Sequence, residues 1–172
     1  IFLLTFLNGK AQPSWYFTNT GSNHTILVQD TINISIDGIQ ISIGDYIGVF
    51  YDSLGNEACA GYLNWQGIST TIAVWGSQSG LHDGFASGEQ INWKVWRASD
   101  QHEFDAIATY DTIMFPHQGN YSTNGLSRLA SLNAILSGGS GPPWNYAITS
   151  NTHHIIIPDT FLIAPNFNLH YS

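Results

Sequence analysis

Charge is scarce in this 172-residue sequence. Asp, Glu, Lys and Arg make up 9% of it, and only four residues are Lys or Arg. Against twelve acidic residues the formal net charge is −8. Nucleic-acid binding draws on clustered cations that displace counterions from phosphates, and no cluster exists here, so nucleic acid is excluded as a partner. An anionic membrane surface is disfavoured for the same reason. No apolar run has the length needed to span a bilayer, so no membrane insertion by a helix is expected. Cysteine is almost missing too. Cys59 stands alone, which excludes an internal disulfide. Its neighbours Ala58, Ala60 and Gly61 mark it as a small buried hydrophobe rather than a reactive thiol. A fold without cross-links is held by core packing, with a metal ion as the remaining aid.

Aromatics, at 13%, and 17 glycines are what the chain has instead. Asn, Ser and Thr supply most of its polarity, the profile of an extracellular β-protein. The stretch from Gly44 to Trp96 organises the rest. Its apolar, aromatic runs GDYIGVFYDSLGNEACAGYLNW, TTIAVW and GEQINWKVW are separated by Gly, Ser, Asn and Asp. They are too short and too β-branched for helices, and they predict consecutive antiparallel strands. Further strands are expected at Thr25–Val28, Phe104–Tyr110 and Leu126–Leu136. The last is the closing strand, although helical spacing also fits it in part. Ile32, Ile34 and Ile36 alternate with polar residues, Asp37-Gly38 interrupts, and Ile39, Ile41 and Ile43 alternate again. A two-residue Asp-Gly turn would pair Ile36 with Ile39, Ile34 with Ile41 and Ile32 with Ile43, placing all six isoleucines on one buried face. The expected fold is an all-β antiparallel β-sandwich, jelly-roll or Ig-like, over residues 13–137.

The flanks read differently. Residues 1–11 end in an apolar run followed by small residues, the pattern of a secretory signal remnant cut after Ala11, with an edge strand as its rival. Residues 138–141 are a Gly/Ser linker. Beyond them the sequence repeats its own opening. At a constant offset of 129, Pro13, Trp15, Thr20, His24, Ile26, Asp30 and Thr31 meet Pro142, Trp144, Thr149, His153, Ile155, Asp159 and Thr160. That is seven identities in nineteen positions, where average composition would give roughly one. Residues 142–172 are therefore the start of a second repeat. They either continue into further modules or dock on an identical subunit as a donated strand, which would build filaments.

Chemical motifs are sparse. No nucleophile elbow, zinc motif or phosphate loop is present. His24 recurs as His153, which suits a structural position shared by both copies. Asp45, Asp52, Glu57, Asp83 and Glu89 fall around turns, and oxygen ligands in loops suit calcium, yet no ligand loop of defined spacing accompanies them and solvated turn carboxylates are the plainer reading. Trp65, Trp75 and Trp96, with Tyr62, are the candidate ligand-binding residues. Trp93 and Trp96 differ by an odd number and should face opposite sides of a strand, leaving one exposed as a platform for a sugar ring.

The order Asn23-His24-Thr25-Ile26, Gly44–Tyr51, Ala58–Tyr62, Thr71–Gly76, Asp83-Gly84-Phe85, Gly88-Glu89 and Trp93–Trp96 resembles an uncharacterised repeat module of secreted, type IX-exported Bacteroidetes surface proteins. The resemblance covers about Pro13 to Leu136. It implies a secreted or cell-surface setting but no assigned activity. It also implies O-glycosylation at Asp-Ser/Thr-aliphatic triplets, which places Thr31, Ser53 and Thr112 as candidates. An ordinary capped turn explains each triplet equally well. The sequence thus reads as a non-catalytic structural or adhesive repeat module, with neighbouring modules or identical subunits as partners. A carbohydrate-binding module acting on glycans and a strand-donating filament subunit are its rivals.

Overall fold

The computed structural model describes residues 11–135, apart from 114 and 116. Of the expected signal remnant at residues 1–11, residues 1–10 lie outside the described residues, as do the expected linker and second repeat. Nine strands form: β1 Asn23–Val28, β2 Asn33–Ile36, β3 Ile39–Gln40, β4 Tyr46–Ser53, β5 Asn56–Asn64, β6 Thr70–Trp75, β7 Asn92–Arg97, β8 His102–Tyr110 and β9 Leu126–Ala134. No helix occurs among the described residues. The strands belong to one mixed, mostly antiparallel sheet in the order β3-β2-β9-β8-β7-β4-β5, while β1 joins β6 to β9.

Local chemistry places most strand ends. The turn into β3 uses Asp37 and Gly38 at φ 50° and 79°, the two left-handed residues of a type I′ hairpin. β1 alternates half-buried and buried along its length, as a strand does with one face on a core. Ile26, Val28, Ile34, Ile36, Ile47, Val49, Ile72, Val74, Val95, Leu129 and Leu132 share a single hydrophobic cluster. Strands far apart in the sheet order feed that cluster, so the sheet curls around it.

Three expectations are corrected. First, β4 pairs with β5 as expected of consecutive strands, but its other neighbour is β7, and β6 leaves the series and pairs with β1 along all six residues. Small residues let β6 lie against β5: a Cβ on Gly61 would sit 2.3 Å from the Ala73 carbonyl oxygen. Second, the sheet is not wholly antiparallel. β1 and β2 run parallel to β9, β1 along residues 126–128 and β2 along residues 131–134. Residue alternation is the same in parallel and antiparallel pairs, so it carries no information on direction. Third, the six isoleucines do not share one buried face. Ile36 pairs with Ile39 and the Ile41 amide donates to the Ile34 carbonyl, but Ile39 and Ile43 are 72% and 70% exposed. β3 is the rim of the sheet, and what lies at a rim has a neighbour on one side only.

His24 is the buried polar node between β1 and β9. It is fully buried. Its Nδ1 accepts from the Ser122 amide at 3.1 Å, so the proton sits on Nε2, which donates to Ser127 Oγ at 2.8 Å. Ser127 Oγ in turn donates to the Gln118 carbonyl at 2.9 Å. Burial first, then the nearby His117 ring, lowers the His24 pKa from 6.5 to about 4, against a raising contribution from Ser122. The imidazole is a neutral connector, as such a chain of donors and acceptors requires.

Candidate functional site

The face of β4, β5, β7 and β8 turned away from the core is covered by aromatic rings. Gly48 lies in the middle of β4, where a glycine marks a close approach. Trp15, from the irregular segment 11–22 before β1, fills the space. A Cβ on Gly48 would stand 2.8 Å from the Trp15 ring. Trp15 meets Phe50 edge-on at 5.3 Å between centroids and Tyr62 at 6.1 Å, and its indole nitrogen donates to Glu103 Oε2 at 2.6 Å. Phe17 packs on Tyr62 at 5.4 Å, and Tyr46 joins Tyr62 to Trp96. Edge-to-face pairs of this kind add to simple burial.

Lys94 stands at the centre of the same face. Its ammonium lies 2.8 Å from Glu57, 2.9 Å from Glu103 and 3.1 Å from Asp105, with the Phe50 ring 5.4 Å away. Burial acts to lower the Lys94 pKa, but the hydrogen bonds the ammonium donates to the three carboxylates outweigh it and hold the pKa above its ordinary value. One cation among three acids leaves this face electronegative. Beside it opens a cleft of about 470 Å³, lined by Glu57, Asn92, Lys94, Asp105, Ile107 and Tyr110 among others.

The candidate ligand residues divide. Trp65 and Trp96 are 4% and 6% exposed, so neither offers a ring face to a sugar, and their assignment as platforms is corrected. The parity argument for Trp93 and Trp96 holds for direction: Trp93 belongs to the core cluster and Trp96 packs on Tyr46 on the other face. Exposure does not follow, because Tyr46 packs on Trp96 there and further rings, Tyr62 and Trp15 among them, share that face. Trp75 is half-buried and Tyr62 is 37% exposed. Sequence reasoning used Trp15 only to anchor the repeat and passed over Phe17, Lys94 and Glu103. The available signal was Gly48, set between bulky neighbours inside a strand.

The five carboxylates considered for calcium are not brought together. Asp45 is buried and accepts from the amides of Ser42 at 2.8 Å and Ala98 at 2.9 Å. Asp52 caps its own turn at the Gly55 amide. Glu89 accepts from the Asp52 and Ala86 amides, each at 2.8 Å. Asp83 holds the Gln78 amide at 2.8 Å, and Glu57 is bound to Lys94. No group of three His, Cys, Asp or Glu able to hold a metal forms among the described residues. These carboxylates accept from backbone amides or, for Glu57, from the Lys94 ammonium.

Thr31 and Thr112 are exposed in turns, whereas Ser53 is half-buried and its hydroxyl donates to the His82 carbonyl at 3.1 Å. Cys59 is buried beside the bulge where β5 carries one residue more than β4. Burial pushes its thiol up to about 11, which keeps it protonated and unreactive at neutral pH.

No family model matches the sequence, and no curated protein matches it. Among solved structures, a 9R-lipoxygenase from Cyanothece PCC8801 is similar over 87% of this chain at 14% identity, with a TM-score of 0.35. This chain spans 21% of that lipoxygenase chain, and a likeness so distant carries no argument about fold or activity.

Proposed function

We propose that the chain is a non-catalytic structural or adhesive module of a secreted or cell-surface protein, built as a β-sandwich that carries load along its length. The observation behind this reading is the direction of the terminal strands. β1 and β2 run parallel to β9 and are paired with it over residues 126–128 and 131–134. Tension entering before β1 and leaving after β9 pulls these neighbours in opposite directions along their own axes. The inter-strand hydrogen bonds lie across that pull and break together, not one at a time. The polar side chains supply further support. His24 and Glu89 hold loops to strands through the Ser122 and Asp52 amides, and Asp45 and Asp83 hold loop segments to one another, a use suited to a scaffold.

The test is force spectroscopy on the full chain, gripped in two ways. Pulling between residues 22 and 135 loads β1 and β9 in shear. Pulling between residues 100 and 135 opens the antiparallel β8–β9 pair from its end, since Ala106 faces Ala134 there. The shear grip should give a rupture force several-fold above the unzipping grip. Equal forces would end the load-bearing reading.

The cleft beside Lys94 favours a second reading, carbohydrate binding. Its volume, about 470 Å³, lies within the range of small-ligand sites. Asn92 and Asp105 offer hydrogen bonds to hydroxyl groups, and Ile107, 65% exposed, offers an apolar wall. Binding on a glycan array that is lost in Asn92→Ala and kept in Trp75→Ala would support it. An array that stays blank for the native chain would dismiss it.

A further inference from the structure

The internal repeat acquires a meaning once the first copy's contacts are known. Four positions between residues 13 and 31 are buried: Pro13, His24, Ile26 and Val28. The repeat keeps three of them as Pro142, His153 and Ile155 and exchanges Val28 for Ile157. Of the seven exposed positions, Ser14, Tyr16, Thr18, Asn19 and Gly21 differ in the repeat, while Asp30 and Thr31 are kept. Trp15, Thr20 and Asp30 are kept as well, and each bonds to the body of the module: Trp15 to Glu103, Thr20 to the Gly76 carbonyl, Asp30 to Ser69. Phe17, which packs on Tyr62, remains aromatic as Tyr146. Most side chains that fasten segment 13–31 to the body are retained; Ser22, bonded to Tyr121 and Thr123, is an exception. Apart from Val28, what varies is exposed or half-buried.

We infer that residues 142–160 dock on the body of a second copy of this chain, in the seat between β6 and β9 that residues 13–31 occupy in their own copy. In that seat Trp144 would lie over Gly48, His153 would bridge the Ser122 amide and Ser127, and Ile155 would enter the core opposite Ile72. The occupant exchanges like for like, so the closed single copy and the linked copies differ by few contacts. The linked form therefore gains with concentration. Copies joined in this way run head to tail, and the shear-loaded β1–β9 seam becomes the joint between them. The inference rests on the structural-module reading and supplies its partner.

Strand register gives the test. Leu27 stands opposite Thr71 in the antiparallel β1–β6 pair, and the offset of 129 puts Ile156 in the place of Leu27. The full chain carries Thr71→Cys and Ile156→Cys, with Cys59→Ala to remove the native thiol. It is refolded from urea at high and low protein concentration, so that segments can exchange, and then oxidised. Non-reducing gels should show disulfide-linked dimers and longer ladders that rise with concentration. A matched chain with Ile157→Cys in place of Ile156→Cys has its thiol on the opposite side of the strand and should yield at least ten-fold less. The pair Leu27→Cys and Thr71→Cys should close within one chain, which confirms that the body folds. Docking is overturned if that control closes while the 71–156 pair stays unlinked, links only within one chain, or links no better than the 71–157 pair. Those outcomes leave the force measurement, and the module reading it tests, untouched.

Discussion

Acid should weaken this fold through one side chain, His24. The imidazole is neutral in the folded state, with Nδ1 taken by the Ser122 amide. A proton added there would leave two N–H groups facing each other in a fully buried site. The folded pKa is therefore lowered to about 4 from 6.5, whereas the unfolded chain titrates at its ordinary value. Between those two values the unfolded state binds more protons than the folded one, so stability falls as pH falls across that window. It is fully present above about pH 6.5 and levels off below about pH 4. A gap of about 2.5 units at 1.36 kcal/mol each amounts to at most about 3 kcal/mol, a large share of the roughly 5–15 kcal/mol that holds a domain of this size. The groups facing the ring are the His117 ring at 5.7 Å, the Tyr121 ring at 6.1 Å, Ser122 and Ser127, and none of them supplies a negative charge to offset the proton. Urea unfolding of the native chain and of His24→Gln at several pH values between 7.5 and 4 isolates the effect, because every other titrating group is common to both. The difference between the two stabilities should move by about 3 kcal/mol against the native chain on going from pH 7.5 to 4. A difference that stays constant across this range would refute the assignment of His24 as a neutral buried connector.

The seat of Trp15 predicts non-additivity: Trp15→Ala and Gly48→Ala should each cost about 2 kcal/mol, and the double variant little more than either, because both empty the same contact. A thermodynamic cycle by urea unfolding reads this, and full additivity would mean that Trp15 does not rest on Gly48. Lys94→Met should cost about 1–2 kcal/mol by leaving Glu57, Glu103 and Asp105 to repel one another, and 0.5 M salt should recover part of the loss by screening; a loss indifferent to salt would place its origin in packing. Cys59 should resist a thiol reagent in the native state at pH 8 and react fully in denaturant. Rapid labelling of the native chain would contradict its burial.

The sequence by itself determined the local features of this protein. The strand at Thr70–Trp75 has the bounds that the residues TTIAVW predict, and Asp37-Gly38 makes the tight turn its chemistry demands. Cys59, set among small residues, is buried. Each of these depends on neighbours within a few positions, where alternation and turn propensity act directly. Tertiary structure decided which strands distant in sequence meet. Thr25 pairs with Leu126, a partner a hundred residues away, in a parallel direction that alternation does not encode. β6 pairs with β1 instead of its sequence neighbours, and Gly61 lets it pass close to β5. Trp96 is buried against Tyr46 on the face that strand parity had left open, the face on which Trp15 bonds to Glu103. Parity states which way a side chain points. What covers it depends on where a distant segment comes to rest, and that is settled by competition for apolar surface across the whole fold.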